Sequence, residues 1–166
     1  MFSFLDQYES KGRFVFRQND NLGVVCNAPK NCSGVYLVYT VKDNNKRLVY
    51  IGCSGLEEDG KIKMRQGGLW GRLVKGKQFG IQRTQSWPSK IIELKLDSLY
   101  IEWWNTKNDF PEIVEYCALA EYMHEYNYLP DWNNEFRLKE ALHKKCLDYI
   151  KKNIEYFAFI GTEDED

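Results

Sequence analysis

Apolar and polar residues alternate most clearly in two short runs in the first third of the chain. Leu37 to Val41 and Leu48 to Ile51 are rich in Val, Tyr and Ile, and the polar stretch DNNK lies between them. β-Branched and aromatic residues favour strands, whereas Asn and Asp favour tight turns. The pattern therefore predicts a β-hairpin, in which the pleat assigns each side chain to a defined face.

Three further segments have the pattern of strands. Phe14 to Phe16 predicts a short strand, and Leu99 to Trp104 alternates over a longer one. Ile91 to Leu96 also alternates well enough for a strand, with KLDS as the turn that follows it. The same segment could instead be the end of a helix, because short apolar runs fit both periods.

Helical periodicity predicts a short helix and a longer one. Leu69 and Leu73 share one side of a helix at about 69 to 76. The longer helix begins with Asp109 as its cap and Pro111 at an early position, where a missing N–H costs little. We expect it to continue to about Tyr126 and to end before Leu129-Pro130.

A last helix is predicted from about Asn134 to Asn153, and it extends beyond the core as a C-terminal helix at 137–153. Together the elements predict an α/β (α+β) fold, with a small, mainly antiparallel sheet flanked by helices. The 166 residues suit a single domain, 1–166, which ends in an acidic tail at 160–166.

Composition narrows the class of protein. The content of 43% hydrophobic and 28% charged residues is ordinary for a soluble globular chain, and no apolar run approaches the roughly 18 residues of a membrane span. The five cysteines show no CxxC spacing, and no apolar leader follows the first residue. We therefore expect a cytoplasmic protein without a disulfide framework or a membrane partner.

Charge is distributed unevenly along the chain. The formal net charge is −1, but the segment from Lys61 to Lys95 holds nine basic residues and one acid. The field near a surface follows local charge, so this segment predicts a phosphate-binding face. Its candidate contacts to nucleic acid are Lys61, Lys63, Arg65, Arg83 and Lys90.

Four short motifs occur in a defined order along the chain. Gly34-Val35-Tyr36 opens the predicted hairpin and Tyr50-Ile51-Gly52 closes it. An arginine follows on the short helix, Arg72 in GLWGRLVKG, and a glutamate on the later helix, Glu115 in EYCALAEY. Over residues 32–136 this order resembles the catalytic domain of the GIY-YIG nuclease superfamily.

The resemblance includes the residues around the glutamate. An apolar pair follows Glu115 at its third and fourth positions and an aromatic residue at its seventh, namely Ala118, Leu119 and Tyr122. Asn133 in LPDWN matches the asparagine that family members place near the end of the domain. Glu121 is the rival carboxylate because it lies closer to Asn133, but the family's order of residues follows Glu115.

The resemblance implies roles for the two tyrosines. In this family the paired phenols orient and deprotonate the water that attacks a phosphodiester, and we favour Tyr36 over Tyr50 as the base. The residues themselves do not decide between them. A phenol accepts a proton from water only when a cation such as Arg72 or a metal ion stabilises its charged form.

The remaining groups suit a phosphate and a metal ion. The guanidinium of Arg72 stays charged and offers forked donors to a scissile phosphate. Glu115 would anchor Mg²⁺, or Mn²⁺, because Mg²⁺ keeps several waters and needs few protein ligands. By resemblance, Lys75 or Lys77 would assist the phosphate or the leaving group, and Asn133 would support the site.

These residues predict a metal-dependent endonuclease that acts on nucleic acid, with DNA favoured over RNA. One alternative is a nucleic-acid-binding module on the same scaffold that has lost turnover. Another is a structural or protein-interaction domain, which would show no affinity for polyanions. The chain leaves little room for a separate recognition domain, so target recognition would call for a homodimer or a partner protein.

Overall fold

The computed structural model describes residues 1–157, in which eight strands form one main sheet and two small hairpins. Their bounds are β1 (Lys11–Phe16), β2 (Gly34–Lys42), β3 (Asn45–Ser54), β4 (Leu56–Glu58), β5 (Lys61–Lys63), β6 (Lys77–Gln78), β7 (Ile81–Gln82) and β8 (Ser98–Asn105). The main sheet has the order β1-β8-β2-β3, and all of its neighbouring strands are antiparallel. β4 pairs with β5 and β6 with β7.

Helices cover both faces of this sheet. Their bounds are α1 (Leu22–Val25), α2 (Gly68–Lys75), α3 (Arg83–Leu94), α4 (Pro111–Tyr126) and α5 (His143–Lys152). Short 3₁₀ turns lie at Ser3–Gln7, Glu140–Leu142 and Ile154–Tyr156. None of the helices within residues 1–157 has the length and apolar character needed to span a membrane. The predicted α+β class is confirmed, while the acidic tail at 160–166 lies outside the described residues.

The predicted hairpin is confirmed as β2 and β3. Its turn consists of Asp43 and Asn44, whose φ angles of 50° and 63° are those of a two-residue turn that matches the twist of the strands. Asn and Asp tolerate this left-handed conformation better than most residues. The strand predicted at Phe14 to Phe16 and the one predicted at Leu99 to Trp104 are confirmed within β1 and β8.

The two faces of the sheet pack against different helices. Val35 and Leu37 point to one face, where they meet α4 and α5, and Tyr36 and Val38 point to the other, where they meet α1, α2 and α3. Side chains alternate along a strand, so β2 is buried on both faces. Since β1 belongs to this sheet, the sheet extends beyond the predicted core at 32–136.

The segment that starts at Ile91 is the end of α3, which stops at Leu94, so the alternative of a helix end is confirmed and the strand is wrong. Trp87 and Ile91 are four residues apart, and both are buried on one side of α3. Ile92 and Leu94 are exposed, and their apolar side chains produced the misleading alternation. The predicted short helix at 69 to 76 is confirmed as α2.

Two predicted helix starts need correction. α4 begins after Phe110, and Asp109 accepts a hydrogen bond from the Tyr8 hydroxyl (2.8 Å) instead of capping the helix. The last helix begins near residue 140 and not at Asn134. The segment before it is held by packing, because Phe136 stacks on Tyr116 of α4 at a ring distance of 4.6 Å.

The outer edge of β3 is covered by the chain that follows α4. The Asn133 side chain accepts a hydrogen bond from the Ile51 N–H (2.9 Å) and donates one to the Ile51 carbonyl (2.8 Å). The N–H of Trp132 donates to the Val49 carbonyl. These bonds satisfy backbone groups that an edge strand leaves unpaired. Asn133 therefore acts on the strand that carries Tyr50.

We expect Asn133→Ala to lower the free energy of unfolding by about 1–3 kcal/mol, because it leaves a part-buried N–H and C=O of Ile51 without partners. Urea unfolding measures the change. Asn134→Ala, at an exposed neighbouring position, is the control and should stay within about 0.5 kcal/mol of the parent chain. Equal midpoints for the two variants would contradict this role for Asn133.

Candidate functional site

Tyr36 and Tyr50 lie side by side on the face of the sheet that packs against α2 and α3. The register of the hairpin pairs Tyr36 with Gly52 and Tyr50 with Val38, so the two tyrosines are diagonal neighbours. Their ring centroids are 6.0 Å apart, with an angle of 36° between the planes. The hairpin thus holds the two phenols next to each other, as the sequence predicts.

The motif glycines are required by close approaches of other groups. A Cβ on Gly52 would lie 2.6 Å from the Tyr36 hydroxyl oxygen and 2.6 Å from a ring carbon of Tyr50. A Cβ on Gly34 would lie 1.9 Å from the Trp104 carbonyl oxygen of β8. Gly52 leaves the space in which the two phenols lie against the strand, and Gly34 allows β2 and β8 to pair.

A cavity of about 520 Å³ opens beside Tyr50 at the edge of the sheet. We call it the site cavity. Its functional side chains are Tyr50 and Cys53 of β3, Arg65 from the loop after β5, Arg72 of α2 and Glu115 of α4. Side chains of the segment at 135–139 also line it. Residues far apart in sequence and from both helical layers therefore meet in one space.

Of the two phenols, Tyr50 faces this cavity. Tyr36 is 0% exposed and lies behind it. The pKa of Tyr50 is raised, first by the neighbouring Tyr36 and then by burial, while the positive charge of Arg83 opposes the shift. The hydroxyl of Tyr50 is thus a protonated donor at neutral pH. The preference for Tyr36 as the residue that touches water does not fit its complete burial.

Arg72 and Arg65 bring positive charge to the cavity. The pKa of Arg72 is raised, chiefly by its proximity to Tyr36, so this guanidinium stays charged. The Nε atoms of both arginines are buried and have no hydrogen-bond partner within residues 1–157. Buried donors without acceptors are rare in proteins, and each calls for an acceptor such as a water molecule or an anion. The two groups are placed to bind an anion.

Glu115 approaches the same cavity from α4. Burial raises its pKa to about 7, against the opposing effects of a hydrogen bond from the Cys53 thiol and the charge of Arg72. Of the other acids of this helix, Glu125 is exposed, and Glu112 lines the same cavity but already has partners. Glu112 accepts from the Glu57 N–H (2.7 Å) and pairs with Lys139, and Glu121 accepts from the Phe2 N–H (3.0 Å). Glu115 is therefore the candidate carboxylate, in preference to Glu121.

A metal ion would find few ligands here. Within the described part of the chain, no three His, Cys, Asp or Glu side chains are grouped as a metal site. Glu115 offers one carboxylate, partly desolvated, with Glu112 close enough to raise its pKa. This donor set fits Mg²⁺ or Mn²⁺, which take oxygen ligands and, in the case of Mg²⁺, retain several waters.

A second cavity of about 790 Å³ adjoins the first and shares Arg65 and Arg72 with it. We call it the basic groove. Its other basic side chains are Lys63, Lys75 and Lys77, all exposed. Lys63 pairs with Glu58 of the adjacent strand (2.6 Å). The predicted supporting residues Lys75 and Lys77 thus lie along this groove and outside the site cavity.

The remaining predicted contacts to nucleic acid divide into two kinds. Lys61 is exposed beside the turn of the β4–β5 hairpin, and Lys90 lies near Phe79 and pairs with Glu93 (3.0 Å). The sequence predicts Arg83 on the surface, but its side chain is 0% exposed. It donates to the Tyr36 hydroxyl (2.8 Å), so it cannot contact a nucleic acid directly. Its prediction as a surface contact is wrong.

Sequence reasoning missed the parts played by Arg83 and Cys53. Arg83 lies four residues before Trp87, and residues at this spacing share one side of a helix. A helix predicted from residue 83 would have put Arg83 on the same buried side as Trp87. Cys53 follows the YIG tripeptide directly, but no sequence pattern links its thiol to Glu115.

The site cavity is lined by guanidinium groups, carboxylates and phenols, namely those of Arg65, Arg72, Arg137, Glu112, Glu115, Glu135, Tyr50 and Tyr116. Guanidinium groups bind phosphate, a carboxylate binds a hard cation, and a phenol can hold a water molecule. No protein-family model, curated protein or solved structure matches this chain. The function is therefore inferred from these groups and from the motifs that carry them.

We expect Gly52→Ala to displace both phenols, because its Cβ would overlap the Tyr36 hydroxyl and the Tyr50 ring. Overpacking of this kind costs about 1–3 kcal/mol of stability and alters the near-ultraviolet circular dichroism of the tyrosines. Gly23→Ala, on α1, is the control, because its φ is not positive and its Cβ would meet no atom nearer than 3.3 Å. A Gly52→Ala spectrum identical to that of the parent chain would contradict the crowding.

We expect Glu115→Gln to stabilise the protein in a pH-dependent way. The folded-state pKa of about 7 lies above the ordinary value of 4.5, so the folded protein binds this proton more tightly. Wild-type stability therefore falls as pH rises between these values, and the full cost of the charge is present above pH 7.

Without divalent cations, Glu115→Gln should exceed the parent chain by about 1–3 kcal/mol near pH 8 and match it near pH 4. Urea unfolding at the two pH values measures the difference. Glu125→Gln, at an exposed position of the same helix, controls for the loss of one negative charge. The raised pKa would be contradicted if the stability difference between Glu115→Gln and the parent chain were no larger near pH 8 than near pH 4.

Proposed function

We propose that this protein is a metal-dependent endonuclease of the GIY-YIG type, which hydrolyses phosphodiester bonds in nucleic acid, with DNA as the favoured substrate. One observation carries the proposal. Tyr50, Arg72 and Glu115, which belong to three elements far apart in sequence, line one cavity, and Tyr36 lies directly behind it. They are the residues at the motif positions of the resemblance.

Arg72 and Arg65 would bind the scissile phosphate. Both line the site cavity, and each has a buried Nε donor without a partner in the described residues. A phosphate oxygen would satisfy these donors, and the charge of the guanidinium groups would offset the negative charge that develops at phosphorus.

Tyr50 would be the phenol that contacts the attacking water. It lines the cavity, whereas Tyr36 is fully buried. Its hydroxyl would orient the water by hydrogen bonding, next to the phosphate held by Arg72. Tyr36 would support Tyr50 through their ring contact at 6.0 Å.

Glu115 would hold Mg²⁺ or Mn²⁺. When bound there, the ion would supply positive charge to the phosphoryl oxygens and to the leaving oxygen. The carboxylate must be ionised for this role, and its pKa of about 7 makes binding stronger as pH rises through neutrality. Cys53 and Arg72 help to hold the carboxylate in its charged form.

The basic groove would hold the nucleic acid on one side of the cut. Lys63, Lys75 and Lys77 are exposed along it, and it runs into the site cavity at Arg65 and Arg72. Contacts of this kind position a phosphate backbone without reading its sequence. A homodimer or a partner protein would add target recognition, and cysteines without CxxC spacing support a cytoplasmic location.

We expect the protein to cut plasmid, branched or single-stranded DNA with Mg²⁺ or Mn²⁺ and to be inactive in EDTA. Tyr50→Phe, Arg72→Lys and Glu115→Gln should each lower kcat by about 100-fold or more, because each removes a group at the phosphate or the water. Gel assays of single-turnover cleavage measure these losses. Cleavage by Glu115→Gln at the parent rate would count against the proposal.

Lys75→Met and Lys77→Met test whether the basic groove contributes to binding. Each should weaken binding to DNA and reduce the slope of log affinity against log salt by about 1, with kcat little changed. Salt-sensitive binding without cutting by the parent chain would favour an inactive nucleic-acid-binding module. Retention on neither DNA nor heparin would exclude both functions.

A further inference from the structure

Arg83 is a buried cation without an anionic partner. Its side chain is 0% exposed, and no carboxylate within residues 1–157 lies within ion-pair distance of it. Its donors go to three neutral acceptors, the Tyr36 hydroxyl (2.8 Å), the Arg72 carbonyl (2.6 Å) and the Gln78 Oε1 (3.3 Å). Charged groups are almost never buried unless they are paired, so this arrangement calls for a physical reason.

Aromatic rings surround the guanidinium. Its Cζ lies 5.3 Å from the ring centroid of Tyr36, 5.6 Å from that of Tyr50 and 5.4 Å from that of Trp87. Cation–π attraction offsets part of the cost of removing the charge from water. It also places a fixed positive charge directly behind the two phenols of the candidate site.

The same guanidinium connects two parts of the site. One nitrogen bonds the hydroxyl of Tyr36 on β2, and another bonds the backbone carbonyl of Arg72 at the end of α2. The Tyr36 hydroxyl is in turn close to the Arg72 side chain. Arg83 therefore sets the position of the phosphate-binding arginine through its backbone and through a neighbouring hydroxyl.

The fold itself has little need for this charge. The Arg72 carbonyl also accepts from the Gly76 N–H (3.2 Å), and the Gln78 Oε1 also accepts from the Trp87 Nε1 (2.9 Å). Removal of the guanidinium would leave each of these oxygens with a donor. Buried ionic groups can often be replaced by apolar side chains of similar volume without loss of stability, and methionine is such a replacement.

We propose that Arg83 is a positioning residue for an anion site at Arg72 and Arg65, and that its buried charge strengthens the binding of a phosphate group there. The proposal rests on the proposed function, since it takes the ligand to be the phosphate of a nucleic acid. Arg83 does not touch the ligand, because it is fully buried. It acts through Tyr36 and Arg72, with which it shares hydrogen bonds.

The first test measures binding without turnover. Inorganic phosphate is added to the metal-free protein at matched ionic strength, and the rise in Tm gives its affinity. Arg83→Met should keep the Tm of the ligand-free protein, or raise it, and should lower the phosphate affinity by about tenfold or more. Arg83→Lys should fall between the two, because it keeps the charge without the forked donors.

Arg17→Met is the matched control. It removes the same charge from an exposed position just after β1. The preceding residue, Phe16, pairs with Leu99 of β8, which pairs in turn with Thr40 and not with Tyr36. Arg17→Met should leave both the Tm and the phosphate affinity unchanged. Equal phosphate affinity for Arg83→Met and Arg17→Met would overturn the proposal.

The second test asks whether Arg83 acts through Tyr36. Arg83→Met should lower kcat about 100-fold in the parent chain and less than about threefold in Tyr36→Phe, because interacting residues are not additive. A purely structural role predicts independent losses and a fall in Tm of about 10 °C or more for Arg83→Met, and that result would overturn the proposal. If the parent chain cuts no nucleic acid, the proposed function fails, while the phosphate measurement still decides the role of Arg83.

Discussion

The placement of Gly52 opposite Tyr36 in the β2–β3 hairpin is the constraint on which the candidate site depends. Without a Cβ at this position, the Tyr36 hydroxyl and the Tyr50 ring both lie against the backbone of β3. Tyr36 is then fully buried, within reach of Arg83, and Tyr50 is left at the edge facing the site cavity. A one-residue shift of the hairpin would turn both phenols to the other face of the sheet.

A buried cation and a half-buried carboxyl group lie on either side of this pair of phenols. Arg83 lies behind them on α3 with neutral acceptors, and Glu115 lies in front of them on α4 with a pKa raised to about 7 by burial. Each arrangement costs stability, since burial disfavours the charged form of any group. Perturbed charges of this kind cluster at functional sites, where a ligand or an ion completes the missing interactions.

The position of the cavity follows from the layering of the fold. α2 packs on one face of the sheet and α4 on the other, so Arg72 and Glu115 can meet only beyond the edge strand β3. The hydrogen bonds of Asn133 pair the backbone N–H and C=O of Ile51 at this edge, next to Tyr50. The asparagine of the motif thus shapes the site through the backbone, and its amide is occupied by that task.

The sequence by itself determined the hairpin, the order of the motifs and the residues at each motif position, because alternation and turn chemistry are local properties. It also determined the excess of basic residues between Lys61 and Lys95. Only the tertiary structure decided which of these charges reach the surface. Arg83 is buried behind Tyr36, and Glu115 lies at the cavity. Glu121 instead accepts a hydrogen bond from the N–H of Phe2. Burial and partner choice arise from contacts between elements distant in sequence, and no local pattern records them.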